Sequence, residues 1–241
     1  MNGIVYPYGS SHLVNEVTRE KILANKVETI TLPSSKGAIK ATTLIQFSGG
    51  IDSTFVLWWW LVNHTDEYCV VHHIDMIHFE KRNIEELKAV DRVLKWLDSQ
   101  GLKNYFYIQN TFDYGNIPGA VYDVKVCGFV AGIILSTERW ESISKVYFPI
   151  YGHETHREEN RRKVMHLTIT SGREVECIYP LVGITKTEVM KMMPYELLKL
   201  CWYCRVPIDE KICGRCHTCK QVEEGANEVI EENLKKYLKG F

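Results

Sequence analysis

The stretch Thr42-Thr43-Leu44-Ile45-Gln46-Phe47 runs directly into Ser48-Gly49-Gly50-Ile51-Asp52-Ser53-Thr54, and a long apolar run, Phe55 to Val62, follows. β-Branched and apolar residues predict a strand, and the apolar run predicts a buried helix. The two glycines between them supply a tight turn. The same order recurs downstream. Tyr68 to Ile74 reads as a strand, Asn83 to Ser99 as an amphipathic helix, and Tyr105 to Gln109 as a strand after Gly101. Cys127 to Thr137 reads as a buried helix and Lys145 to Tyr151 as a strand. Thr185 to Met193 is a helix opened by a capping box, Thr185 to Glu188, and stopped by Pro194. Consecutive parallel strands need crossover connections, so this alternation predicts an α/β fold: a parallel, doubly wound, Rossmann-like sheet with helices on both faces. Its active site is expected at the carboxyl ends of the strands.

Residues 1–40 are mixed and polar and read as an N-terminal accessory segment; residues 41–200 form the sheet domain. Residues 201–241 carry a cysteine-rich loop followed by a polar helix, Gln221 to Leu238. Lys plus Arg number 29 against 30 Asp plus Glu, which removes a chain-wide basic field of the kind that draws nucleic acid. Nucleic acid is therefore not expected as a direct substrate. No apolar run reaches the roughly 20 residues that span a bilayer, and the first residues lack a secretory pattern. A cytoplasmic location without membrane contact is the expectation, and a homodimer stays open.

At the strand-to-helix turn, backbone amides and the positive end of the helix dipole make an anion site, and Gly49 and Gly50 let a ligand approach closely. Ser48, Ser53 and Thr54 add hydroxyl donors. Asp52 repels phosphate on its own, so it either holds Mg²⁺ or orients the loop amides. The string lacks the Gly-x-x-x-x-Gly-Lys-Ser/Thr pattern, which disfavours a kinase-like or GTPase-like site.

Cys69, Cys127 and Cys177 stand alone in apolar surroundings and read as buried small hydrophobes, whereas Cys201, Cys204, Cys213, Cys216 and Cys219 crowd together. In a chain without a secretory pattern this clustering points to metal ligation, with Zn²⁺ the natural occupant. Cys213, Cys216 and Cys219 are joined by a fourth ligand, for which Cys201, Cys204 and His217 compete. A closed thiolate sphere is structural, not catalytic.

The loop resembles that of the ATP-pyrophosphatase superfamily, whose adenine nucleotide alpha hydrolase-like domains cleave ATP between the α and β phosphates. Together with Cys-x8-Cys-Gly-x-Cys-x-x-Cys, the chain resembles the QueC family, the 7-cyano-7-deazaguanine synthases. Tyr179-Pro180-Leu181, Thr185-Lys186-Thr187-Glu188 and Trp202-Tyr203-Cys204 are similar to further family segments, and the resemblance covers roughly residues 42 to 238. It implies Cys204 as the first zinc ligand. It also implies an ATP-dependent carbon–nitrogen ligase that adenylates 7-carboxy-7-deazaguanine and converts it, with ammonia, to the amide and then the nitrile. ATP, Mg²⁺ and structural Zn²⁺ are the implied cofactors, Asp52 and Lys186 the implied catalytic side chains, and queuosine formation the associated chemistry.

Three segments depart from the family: Met76 to Arg82, Cys127 to Phe129, and His153 to Arg157. His153-Glu154-Thr155-His156 is one residue too short for a His-Glu-x-x-His metal helix. It reads as a strand-end loop at the edge of the active site, with His153 and Arg157 as candidate substrate contacts. Arg157, Arg161, Arg162 and Lys163 read as a solvated helix face, from which a carboxylate substrate would welcome one side chain. Two other functions compete. One is amidation, thiolation or conjugation within the same superfamily, with Cys69 or another thiol carrying sulfur; the other is a non-catalytic zinc- and nucleotide-binding module.

Overall fold

The computed structural model describes residues 4–6, 40–117 and 123–239. For residues 4–6, 153, 154 and 229–239 it describes the backbone alone. The expected accessory segment therefore lies outside the described residues except for its residues 4–6 and 40.

The strands are β1 (Ile4–Tyr6), β2 (Ala41–Gln46), β3 (Tyr68–Ile77), β4 (Tyr105–Asp113), β5 (Lys145–Tyr147) and β6 (Glu176–Ile178). Helices α1 (Ile51–Asn63), α2 (Asn83–Ser99) and α3 (Asp123–Leu135) connect the first of them. The short α4 (Gly152–Thr155) and α5 (Glu158–Ser171) follow β5, and α6 (Lys186–Met192), α7 (Tyr195–Leu198) and α8 (His217–Lys239) complete the chain. The sheet order is β1-β4-β3-β2-β5-β6. Strands β2 to β6 are parallel, and β1 adds to the β4 edge antiparallel. From β2 the chain winds outward through β3 and β4, then crosses to β5 and β6 on the other side. The order thus reverses beside β2, and the crevice beyond the carboxyl ends of β2 and β5 is where such sheets bind ligands.

Side chains alternate across the sheet, as the pleat requires. Ile45, Val71, Tyr107 and Tyr147 enter one core with Phe55, Trp60 and Leu61 of α1 and Val93 and Leu97 of α2. Their sequence neighbours Leu44, Val70, Ile108 and Val146 enter the opposite core with Ala131, Ile134 and Leu135 of α3 and Leu167 of α5. Both faces are covered, which is the doubly wound α/β arrangement expected from the sequence.

Helices α3 and α5 cross closely because α3 presents glycine at two successive turns. A Cβ on Gly128 would run into the Lys163 carbonyl, and one on Gly132 would lie 2.6 Å from the Thr170 Cβ. This crossing turns Lys163 inward. The run from Arg157 to Lys163 is thus not a uniformly solvated face: Lys163 is 1% exposed, with its ammonium 3.7 Å from the centre of the Phe148 ring and 5.4 Å from that of Tyr179.

Element boundaries shift modestly from expectation. The strand expected to end at Gln109 runs to Asp113, and that expected through Tyr151 stops at Tyr147, short of Pro149, which has no N–H for the ladder. Beyond the sheet, Tyr151 makes a single isolated parallel bridge to Leu181. The segment expected as a strand-end loop at His153 to His156 contains the helical turn α4. Among the described residues, no helix is long and apolar enough to cross a membrane.

Candidate active site and metal centre

Strand β2 delivers the glycine loop to the crevice, and the loop is closed by its own hydroxyls. The Ser48 amide donates to Ser53 Oγ at 3.1 Å, the Gly50 amide to Ser48 Oγ at 3.3 Å, and Ser53 Oγ to the Gly50 carbonyl at 3.2 Å. Gly49 sits at φ +72, in the left-handed region, and a Cβ there would meet the Val90 amide nitrogen at 2.8 Å. Only glycine satisfies both constraints. Gly50 caps α1 without a side-chain partner, leaving the helix start to a ligand.

Asp52, in the first turn of α1, is clamped. Lys186 Nζ donates to both of its carboxylate oxygens at 2.6 Å, and Tyr151 Oη donates to Oδ1 at 2.5 Å. The expected capping box holds Lys186 in place: the Glu188 amide donates to Thr185 Oγ1 and the Thr185 amide to Glu188 Oε2. Those backbone and hydroxyl donors hold the Glu188 carboxyl below its ordinary range. Thr54, expected with the ATP contacts, is fully buried beside the Cys201 thiol and supports the loop from beneath.

Beside the loop lies a cavity of about 220 Å³. Ser48 and Ser53 form part of its wall; Ile74, Met76, Cys127 and Phe148 supply apolar surface. Such a volume, below the roughly 300–1,000 Å³ of drug-sized ligand sites, suits one small heterocycle. At its back, His72 Nε2 meets Asn110 Oδ1 at 2.7 Å and His72 Nδ1 meets Gln46 Nε2 at 3.1 Å. Burial pushes His72 down to about 4, against the Asn110 bond that favours its charge, so the imidazole is neutral at pH 7.

The remaining wall is charged. Arg82 pairs with Glu80 at 3.0 Å, with Glu86 at 3.3 Å and with Asp123. Arg205 reaches Asp123 at 3.2 Å and Glu80 at 3.5 Å. Burial opposes the Arg82 charge, but the three carboxylates outweigh it and hold the guanidinium above its ordinary pKa. Burial likewise opposes the Asp123 charge, and here Arg82 and Arg205 outweigh it, holding the carboxyl below its usual range. Glu86 goes the other way: burial dominates Arg82 and pushes it up to about 7.

The Sγ atoms of Cys204, Cys213, Cys216 and Cys219 all lie within 4.8 Å of one another. Four sulfurs about 2.3 Å from one tetrahedral ion stand roughly 3.8 Å apart, and Cys213 and Cys219 Sγ are 3.8 Å apart. The Cys213 amide donates to Cys204 Sγ and the Cys216 amide to Cys213 Sγ, each at 3.3 Å, which favours thiolates. These residues fit a metal ion. Cys201 is excluded from the group: it packs in the apolar core, its thiol directed at the Leu197 carbonyl.

The knuckle also touches the active site. The Trp202 amide donates to the Gly49 carbonyl at 3.0 Å, and its indole Nε1 to the Cys204 carbonyl at 2.8 Å. Arg205, next in sequence to Cys204, forms the cavity wall.

No protein-family model matches this chain, and no curated protein matches it. Among solved structures it is similar to the U34-tRNA thiolase NcsA from Methanococcus maripaludis with its [4Fe-4S] cluster. The two chains are 16% identical, with a TM-score of 0.39 over 84% of this chain and 68% of the other.

Of the residues singled out from sequence, Ser48 meets Ser53 and Lys186 meets Asp52 at the glycine loop, and the four cysteines meet one another. Arg157 is exposed and does not line the cavity; the side chain of His153 lies outside the described residues. Tyr151, Glu86 and Arg205 are not identified from sequence as site residues; of the four basic residues from Arg157 to Lys163, the one that lines the cavity is Lys163. Two signals were available: Arg82 and Glu86 stand four apart on one helix face, and Arg205 is fixed by its neighbour Cys204.

Proposed function

We propose that this chain is an ATP-pyrophosphatase-type ligase that adenylates the carboxyl of a small deazapurine acid, 7-carboxy-7-deazaguanine, and converts it with ammonia to amide and nitrile. One observation carries the reading: Ser48 and Ser53 belong to the phosphate loop and also line the small cavity, so a triphosphate on the loop and a flat acid in the cavity would be neighbours. The loop amides and helix start receive the departing pyrophosphate, and Lys186 supplies positive charge to it. The acid's carboxylate oxygen bonds to the α phosphorus as the bond from that phosphorus to the bridging oxygen of pyrophosphate breaks. Ammonia then displaces AMP from the acyl carbon. A second ATP activates the amide oxygen in the same way, and loss of that oxygen with AMP leaves the nitrile.

Asp52 is the residue that would hold Mg²⁺, which neutralises phosphate charge when bound. Cys204, Cys213, Cys216 and Cys219 would hold Zn²⁺ as a structural ion. Thiolates within 4.8 Å of one another suit a single ion; a four-iron cluster, in which each thiolate binds its own iron, spreads them further. A sulfur-carrying role for Cys69 is not favoured, since that thiol is fully buried and burial holds it protonated.

The test is ATP turnover with and without 7-carboxy-7-deazaguanine and ammonium, followed by mass spectrometry. AMP, pyrophosphate and the nitrile are expected. Turnover indifferent to this acid would overturn the substrate, and ADP with orthophosphate would overturn adenylation.

A further inference from the structure

Glu86 stands apart from the other carboxylates that pair with the arginines of the cavity wall. Asp123 and Glu80 are each held by both Arg82 and Arg205. Among the described residues, the ionic partner of Glu86 is Arg82 alone, one helical turn away, through Oε1 at 3.3 Å. Glu86 nevertheless lines the cavity. An ionised carboxylate can accept about four hydrogen bonds, so with one guanidinium partner this one keeps acceptor capacity for a ligand's donors.

We propose that Glu86 is the specificity-determining residue of the cavity, its carboxylate accepting the paired donors of a guanine-type base, a ring N–H beside an exocyclic amino group. The inference rests on the deazapurine reading above and adds to it the residue that reads the base. An adenine-type edge offers one acceptor and one donor, so a carboxylate repels half of it. The upward push on Glu86 to about 7 accords with a charge awaiting donors. Its position is rigid. One turn further along α2, Ala89 and Val90 pack against Gly49, at the distances that exclude a Cβ there. The helix that reads the base is thereby keyed to the loop that grips phosphate, which fixes the distance between the base and the α phosphorus.

The experiment is calorimetric binding, without ATP, of 7-carboxy-7-deazaguanine and its 2-desamino counterpart to the metal-loaded full chain. The wild type is expected to prefer the 2-amino acid by about tenfold or more, the discrimination of a bidentate edge contact. In Glu86→Gln that ratio falls to within about twofold, the 2-amino acid losing affinity and the 2-desamino acid little; a melting curve checks the fold, and Glu86→Asp, which keeps the acceptor pair, retains part of the ratio. Persistence of the wild-type ratio in Glu86→Gln, or equal weakening of both acids, overturns the inference. If the wild type binds both acids equally, the inference falls and the substrate reading stands. If it binds neither, both fall.

Discussion

The same carboxylate makes a thermodynamic prediction that needs no ligand. Glu86 is raised to about 7 from an ordinary 4.5, so between those values the folded chain holds a proton that the unfolded chain releases. Stability from this group is complete below pH 4.5 and is lost as pH rises through 7. Integrating the linkage gives a cost of about 1 kcal/mol at pH 5 and about 3 kcal/mol at pH 8. Glu86→Gln removes the titration, and the loss of its contact with Arg82 enters as an offset independent of pH. The unfolding free energy of the variant minus that of the wild type should therefore grow by about 2 to 3 kcal/mol between pH 5 and pH 8. Urea titrations at four pH values in that range measure it. The difference matters, because His72 and His73, both pushed down to about 4 by burial, tilt the wild-type curve the other way: they stay neutral when folded, and their stability is lost as pH falls below 6.5. They cancel in the subtraction. A flat difference would show that Arg82 fully compensates Glu86; a difference that shrinks with pH would show that the ion pair dominates burial.

Asp52→Ala is expected to abolish release of AMP and pyrophosphate while the chain still unfolds cooperatively. Lys186→Ala should lower turnover by about 100-fold or more and Tyr151→Phe by roughly tenfold, since the lysine supplies charge and the phenol orients one oxygen; equal activity of Lys186→Ala and wild type would remove the lysine from the mechanism. Serine at any of positions 204, 213, 216 or 219 should empty the metal site and forfeit folding free energy on the order of 10 kcal/mol, whereas Cys201→Ser should leave metal content intact, as elemental analysis would show. Gly132→Ala forces a methyl to 2.6 Å from the Thr170 Cβ and should destabilise by roughly 1 to 3 kcal/mol in denaturant; no loss would mean that α3 and α5 separate easily.

What was legible in the sequence is what is local. The loop from Ser48 to Thr54 and the cysteine spacing announce themselves because their chemistry is contiguous. Helix α2 has the expected bounds, Asn83–Ser99, because its apolar positions recur at helical spacing and Gly101 lies just beyond its end. Tyr151 gave no signal: it reaches Asp52 across ninety-nine positions, through a bridge to Leu181 that only the folded chain creates. Lys163 was misread because three of the four basic residues in its run do face solvent, and only the glycine crossing of α3 and α5 turns the fourth inward. Glu86 on its own is an ordinary helical glutamate; it acquires a role when Arg205, on the other side of the chain's length, completes the wall around it.

The four residues from Trp202 to Arg205 touch the glycine loop, the metal site and the cavity in turn. An ion held by Cys204 is consequently a tuning peg for parts of the molecule it never contacts. Stripping it would slacken the carbonyl of Gly49 and the guanidinium of Arg205 together, so chelator would silence the protein as completely as it silences a metalloenzyme. Activity would then track metal stoichiometry in proportion, and an inhibition assay alone would assign the ion a chemical role. Phosphate-loop affinity measured on stripped samples that still melt cooperatively separates the two cases, because a purely chemical metal would leave nucleotide binding where it was.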